Sequence, residues 1–190
     1  MDDRDEFVEV LRGAQGGHDE SFAVLWRRFQ PPLLRYLRVA VPFGEAEDVA
    51  SLVWLDVARS LRGFSGGEEG FRSWLFTIAR RRVLDHRRAW ARRPASEPLV
   101  EDREQVGSGD DPVGAAEWQW STDAALALLG RLKPIQAEVI ALRVIAGLDV
   151  DQVAKLVHKS PGAVRVIAHR GLRELAALLA GPALEPDRNL

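Results

Sequence analysis

GLDVDQVAKLVHKSPGAVRVIAHRGLREL, residues 147–175, decides how this chain is read. It has the pattern of a helix, a tight turn and a second helix with two unlike faces. At 3.6 residues per turn from Val164, one side collects Val164, Ala168, Gly171, Leu172 and Leu175. The other collects Arg165, Val166, His169, Arg170 and Arg173. The first side is suited to a core, and the second offers guanidinium groups and an imidazole to an anion. Upstream, Val150, Val153 and Val157 form a short apolar stripe, and Ala154 leaves room for two helices to approach. The break is Lys159-Ser160-Pro161-Gly162, with Ser160 as the expected N-cap and Pro161 at the first helical position. This is the layout of a helix-turn-helix whose second helix enters a DNA major groove. An amphipathic hairpin with a merely solvated basic face fits the same pattern.

Composition bounds the rest. A chain of 190 residues suits one or two small domains, and 46% hydrophobic content supports a buried core. No apolar run reaches the ~18 residues of a membrane span, so direct membrane insertion is not expected. The start, MDDRDEFVEV, is acidic and lacks a signal-peptide pattern, which gives a cytoplasmic expectation. With no cysteine, disulfides and thiolate zinc sites are excluded. His18, His86, His158 and His169 are scattered, and neither metal nor cofactor is expected. No glycine-rich phosphate loop follows a strand, no G-x-S-x-G occurs, and so neither an enzyme nor a small-molecule substrate is expected.

Net charge is only −2, but charge is distributed in blocks. Residues 1–20 hold seven acids against Arg4 and Arg12. Residues 71–93 hold eight arginines against Asp85, and residues 94–123 hold eight acids against Arg103. A basic block can bind phosphate whatever the total charge. Alternating blocks suggest separate surfaces for separate partners.

Helical periodicity runs through most of the chain. Phe22, Leu25, Trp26, Phe29, Leu33, Leu34 and Leu37 share helical spacing over residues 20–41, with Pro31-Pro32 expected to bend or restart the helix. Residues 45–61 form the next helix, with Val49, Leu52, Val53, Leu55 and Val57. Residues 63–70 read as a flexible glycine-rich loop, and residues 71–90 as a helix. Residues 94–122 mix proline, glycine, serine and acids, and read as a flexible acidic linker. A second helical unit follows: Leu126, Leu129 and Leu132 precede Lys133-Pro134, and Ile135, Val139, Leu142 and Ile145 mark the next helix. The expectation is all-α, two small helical domains on a tether: residues 1–93, linker 94–122, residues 123–180 and a tail at 181–190.

In the 71–90 helix, Phe71, Trp74, Leu75, Ile78 and Arg82 project from one side, and Arg80, Arg81, Arg87 and Arg88 spread around the other. Phe64 sits in the preceding loop. An aromatic beside glycines, feeding an arginine-rich helix, fits a surface that follows a phosphate backbone and captures an unstacked base. Phe71 and Trp74 also suit a core, and the stem of Arg82 can cover apolar surface. Clustered like charges repel, so the arginines call for an anionic partner.

The whole pattern resembles the extracytoplasmic-function sigma factors, the smallest class of the bacterial sigma-70 family. FAVLWRRFQPPLLRYL resembles the first helix of sigma domain 2, and GEAEDVASLVWLDVARSL the helix that grips RNA polymerase. FRSWLFTIARRRVLDHRRAWARR resembles the helix that handles the minus-10 element. LGRLKPIQAEVIALRVIAGLDVDQVAKLVHKSPGAVRVIAHRGLREL resembles sigma domain 4, which reads the minus-35 element. The polymerase helix usually reads like AEDLVQEVFLRVW; here Glu47-Asp48 match, Trp54 takes the aromatic place, and Ser51-Leu52 replace Gln-Glu.

The resemblance implies binding and positioning without covalent chemistry. It assigns Glu47, Asp48, Ser51 and Asp56 to core RNA polymerase. Phe64, Arg72, Arg80, Arg81, Arg87 and Arg88 fall to minus-10 promoter DNA, and Lys159, Ser160, Arg165, His169, Arg170 and Arg173 to the minus-35 element. It adds an anti-sigma factor as a partner, and a linker that threads towards the polymerase active cleft. The acids Glu101, Asp102, Glu104, Asp110 and Asp111 suit an RNA channel and equally suit a solubilising tether. A helix-turn-helix regulator that acts without polymerase is the alternative function.

Overall fold

The computed structural model describes residues 3–92 and 124–180, all of whose regular elements are helical. The linker 94–122 and the tail 181–190 lie outside the described residues. In chain order the helices are α1 (Asp3–Gln15), α2 (Asp19–Ala40), α3 (Ala46–Ser60), a 3-10 turn (Leu61–Gly63) and α4 (Glu68–Ala91). The second half holds α5 (124–129), α6 (Pro134–Ile140) widening into a π-type turn (Ala141–Ile145), α7 (Val150–Val157) and α8 (Pro161–Ala180).

The core follows the apolar spacing. Along α2, Leu25, Phe29, Leu33, Tyr36, Leu37 and Ala40 are buried, one or more per turn. They meet Phe7 and Leu11 of α1, Val49, Val53 and Val57 of α3, and Phe71, Leu75, Ala79 and Val83 of α4. Burying each large side chain contributes on the order of 1.5–3 kcal/mol, so this stripe holds the first half together. Pro31 and Pro32 neither end nor restart α2. Each lacks an N–H, so each removes one intrahelical hydrogen bond, and the buried ring of Pro32 and its apolar neighbours offset that loss.

The glycine-rich loop is shorter than the sequence suggests. Glu68, Glu69 and Gly70 belong to α4, leaving residues 64–67 between the 3-10 turn and the helix. The two glutamates lie in the first turn, where acids are favoured by the helix dipole.

In the second half Val153, Ala154, Val157 and Val164 are buried, as their spacing requires. Asp149 and Gln152 close a reciprocal cap at the start of α7: Gln152 N–H donates to Asp149 Oδ1 (2.7 Å), and Asp149 N–H to Gln152 Oε1 (2.9 Å). The turn into α8 hinges on His158, the one positive-φ residue other than glycine among the described residues (φ 53°). It caps α7 in the left-handed region, a place more often taken by glycine. Leu172, expected on the core side of α8, is exposed. The buried line runs through Val164 and Gly171 with Ile167 and Ala168 beside it, and eight residues from Val164 Leu172 has rotated about 80° away from that line.

Gly171 lets α8 lie against α6. A Cβ there would stand 2.7 Å from Ile140 Cδ1 and 3.1 Å from Gln136 Cβ. We expect Gly171→Leu to force the helices apart and lower the unfolding free energy by about 1–3 kcal/mol. Denaturant titration checks this; an unchanged midpoint would refute the close packing.

Candidate nucleic-acid interface

The basic face of α8 is built and open. Ser160 Oγ accepts from Ala163 N–H at 3.2 Å, fixing the start of the helix as its N-cap. Arg165, His169, Arg170 and Arg173 are exposed along α8, and Lys159 is exposed in the turn. None of these five is ion-paired or hydrogen-bonded by its side chain within the described residues. Four cations and an imidazole thus line α8 and the turn before it with no anion paired to them among the described residues. His158 and Asp149 shape this unit and were not singled out from sequence. Asp149 carries a legible cap signal, Asp-x-x-Gln, whereas nothing in the sequence marks a histidine for positive φ.

The α4 arginines are arranged differently, because each finds a partner within the chain. Arg72 pairs with Glu68 (2.9 Å), sits over the Phe29 ring at 5.3 Å, and lies beside Gly147 of the second half. Arg80 pairs with Glu138 at 2.8 Å. Arg81 and Arg82 converge on Asp56. Arg87 donates to the Ala40 carbonyl, and Arg88 to Asp85. The anionic partner that the sequence demanded is therefore supplied first by the chain's own carboxylates. Arg81, Arg87 and Arg88 remain exposed, while Arg72 and Arg80 are half-buried.

Phe64 is half-buried in an aromatic cluster. Its ring lies 5.0 Å from Trp74 and meets Phe71 edge-on at 5.6 Å. It also covers Gly66, where a Cβ would stand 3.1 Å from Phe64 Cζ. Ser65, Gly66 and Gly67 remain exposed beyond it.

On α3, Asp48, Ser51, Leu52 and Leu55 form an exposed strip, with the two leucines about half accessible (45% and 50%). Glu47 is exposed and paired with Arg38 (3.0 Å), and Ser51 Oγ donates to the Glu47 carbonyl. Trp54 faces inward and donates its indole N–H to Gln30 Oε1 at 2.6 Å. Asp56 departs from its expected place on a partner surface. Both its oxygens are taken by Arg81 and Arg82, and its side chain is only 11% accessible. The hydrogen bond from Arg82 comes first in holding its carboxyl below the usual carboxylate range, partial desolvation opposes this, and Arg81 adds to the lowering. Asp56 clasps α3 to α4.

Three comparisons with known proteins bear on this layout. Residues 25–93 match Sigma-70 region 2, and residues 122–175 match Sigma-70, region 4. The chain is 36% identical to the ECF RNA polymerase sigma factor ShbA of Streptomyces griseus, across 87% of this chain and 88% of that one. It is 30% identical to the ECF RNA polymerase sigma factor BldN of Streptomyces coelicolor, across 95% and 69%. This chain belongs to the extracytoplasmic-function sigma factors. It is an alternative sigma factor that directs transcription with RNA polymerase. Among solved structures, the sigma factor RpoE in complex with the anti-sigma factor NepR from Bartonella quintana superposes with a TM-score of 0.61 at 20% identity, covering 83% of this chain and 98% of that one, which supports the fold.

The two regions of this sigma factor are closed on one another. Helix α2 packs on α6 and the π-type turn, and α4 on α7, so one buried core runs from Phe7 to Val164. Arg80 and Glu138 join across the seam with side chains only 14% and 9% accessible. Tyr36 lies buried beside them, and burial first, then the Glu138 charge, keeps its phenol protonated well above its ordinary range. The Tyr36 hydroxyl has no partner among the described residues. A cavity of about 120 Å³ lies along the seam, lined by Tyr36, Val39, Arg87, Leu132 and Glu138 among others. Unfilled space therefore lies beside the buried ion pair.

Removing one member of a buried ion pair costs about 3–5 kcal/mol, because the other is left uncompensated. We expect Glu138→Gln to shift the protein to an extended form. Small-angle scattering would show a larger radius of gyration; a scattering curve that overlays the parent's would show that the pair does not hold the seam.

Proposed function

We propose that this sigma factor docks on core RNA polymerase through the α3 strip, opens its seam, and then reads the promoter with two surfaces. Asp48, Glu47, Ser51, Leu52 and Leu55 meet polymerase. Residues 64–67 hold a base from the opened minus-10 element, and Arg81, Arg87 and Arg88 follow the backbone. Arg72 and Arg80 join them once the second half moves away. On α8, Arg165 and His169 reach minus-35 base edges, while Lys159, Ser160, Arg170 and Arg173 hold phosphates. Functional domains at 1–93 and 123–180, joined by a linker at 94–122, follow from this division of labour, with residues 181–190 as a tail.

The observation that carries the reading is the coexistence of an unpaired basic face on α8 with an exposed acid-and-leucine strip on α3. A regulator that ignores polymerase has no use for that strip. The chain performs no covalent chemistry in this reading, needs no cofactor and takes no small-molecule substrate. No helix among the described residues is long and apolar enough to cross a membrane. In this reading the protein works beside polymerase in the cytoplasm. We include a protein antagonist of the anti-sigma kind. The linker acids would lie near nascent RNA. The direct test is run-off transcription with core polymerase on genomic DNA, with start sites mapped; absence of any start dependent on this chain would sink the reading.

Asp48→Arg should abolish holoenzyme formation without unfolding the chain, because Asp48 is exposed and reversing a desolvated interfacial charge costs several kcal/mol. Co-elution of the folded variant with core polymerase would contradict it.

Readout by α8 makes a separate prediction. Arg165→Ala should cost ~1–3 kcal/mol and relax preference at one or two minus-35 positions. Arg173→Ala should weaken all sequences alike and reduce the salt slope by roughly one ion. Titrations against a randomised minus-35 library at two salt concentrations separate the two, and an unchanged preference matrix for Arg165→Ala would show that the reading face is misassigned.

A further inference from the structure

Helix α1 lies outside the residues that match Sigma-70 region 2, yet its last residue holds the loop at residues 61–67. Gln15 Nε2 donates twice, to the Leu61 carbonyl at 3.0 Å and to the Phe64 carbonyl at 2.7 Å. Those two carbonyls bracket the 3-10 turn, itself closed by Phe64 N–H to the Leu61 carbonyl at 3.0 Å. One amide therefore fixes both ends of the segment that carries Phe64.

Gln15 is itself held in place. The helix ends at Gly16-Gly17, with Gly17 at φ 89°, and His18 N–H returns to the Gly13 carbonyl at 3.0 Å. This is the hydrogen-bonding of a helix stopped by a left-handed glycine. Two turns earlier in α1, Phe7 is buried and meets Phe29 at 6.4 Å and Phe71 at 5.8 Å. Phe71 in turn meets Phe64 at 5.6 Å. The aromatic chain and the Gln15 amide thus converge on the same loop residue, one through its ring and one through its carbonyl. Past that point Ser65, Gly66 and Gly67 are exposed; Gly66 sits at φ 149° against the Phe64 ring, and the Gly67 carbonyl accepts Phe71 N–H at 2.9 Å.

We propose that Gln15 is a positioning residue for minus-10 recognition, which keeps residues 64–67 in the one shape that accepts an extruded base. The inference rests on the reading of that loop as the base-capturing surface. A loop of small residues ordered only on binding would lose affinity to that ordering; a loop ordered beforehand does not. Gln15 supplies that order from a helix outside the DNA-contacting residues of the proposed reading.

The test uses full-length protein, core polymerase and a promoter mapped by run-off transcription, with 2-aminopurine placed in the minus-10 element to report base extrusion. Gln15→Leu keeps size and removes both donors. It should bind core polymerase as the parent does, open the promoter about tenfold less well, the equivalent of about 1.4 kcal/mol, and flatten base preference at one minus-10 position. Minus-35 preference should not move, which separates positioning from a general loss of stability. If Gln15→Leu melts early, Gln15→Glu, which keeps the shape and presents a carboxylate to the two carbonyls, decides by the same measurements. Replacing Ser65, Gly66 and Gly67 with alanines is the control for the parent reading. If that triple variant loses opening and preference while both Gln15 variants keep them, the Gln15 proposal is wrong and the loop reading stands. If the triple variant also keeps them, the loop reading falls and the Gln15 role with it.

Discussion

Neutralising the guanidinium groups of α4 is the constraint around which the rest of this structure is arranged. A helix with so many arginines repels itself unless anions or carbonyls approach from its neighbours. Several elements supply them. Helix α3 sends Asp56 to Arg81 and Arg82, α2 offers the Ala40 carbonyl to Arg87, α4 supplies Glu68 and Asp85 to itself, and the second half sends Glu138 to Arg80. The exposed pairs contribute little each, of order 0–1 kcal/mol. Asp56 and Glu138 differ because they are largely screened from water, so their geometry decides which helices can lie beside α4 and where the second half can dock.

The same chemistry explains how one helix can serve both a closed fold and a nucleic acid. A guanidinium that leaves a carboxylate for a phosphate exchanges one anion contact for another, so the loss of its internal partner is offset. Until that exchange, the Arg80–Glu138 pair and the apolar contact along the seam, where α2 meets α6 and the π-type turn, together oppose opening. Helix α8 needs no such exchange, since its cations are exposed and have no partner among the described residues. The two basic surfaces are thus inequivalent in the closed form: one is available at once and the other is partly masked.

Much of this was legible in sequence, for identifiable reasons. Apolar spacing located α2, α3, α4 and the helix-turn-helix because each buries a continuous stripe, and Ser160 and Asp149 announce helix starts through local hydrogen bonds that involve near neighbours only. Leu172 lies off the buried line because eight residues overshoot two helical turns by about 80°, enough to carry it past the edge of a buried face. Asp56 was assigned to a surface because position along a helix does not reveal which residue on another helix will turn towards it. The Arg80–Glu138 pair was beyond reach for the same reason: 58 positions separate the two residues, and both are charged residues of a kind usually exposed. Gln15 shows the limit most clearly, since a glutamine at a helix end carries no signal until the two carbonyls it serves are in place.

The closed seam also limits which partners can act on this sigma factor. A ligand with equal affinity for closed and open forms shifts nothing, however tightly it binds. A partner touching only the α3 strip, which is exposed in the closed form, gains no leverage on the seam. Leverage requires contacts that the closed form withholds, and Arg72, Arg80 and the surface of α2 under α6 are the ones it withholds. A partner that spans both halves when they are apart can use those contacts, and one that clamps the halves together can use the closed outline instead. Activation and restraint would then act in opposite directions on one interface, with the buried Arg80–Glu138 pair setting how far each must shift the balance.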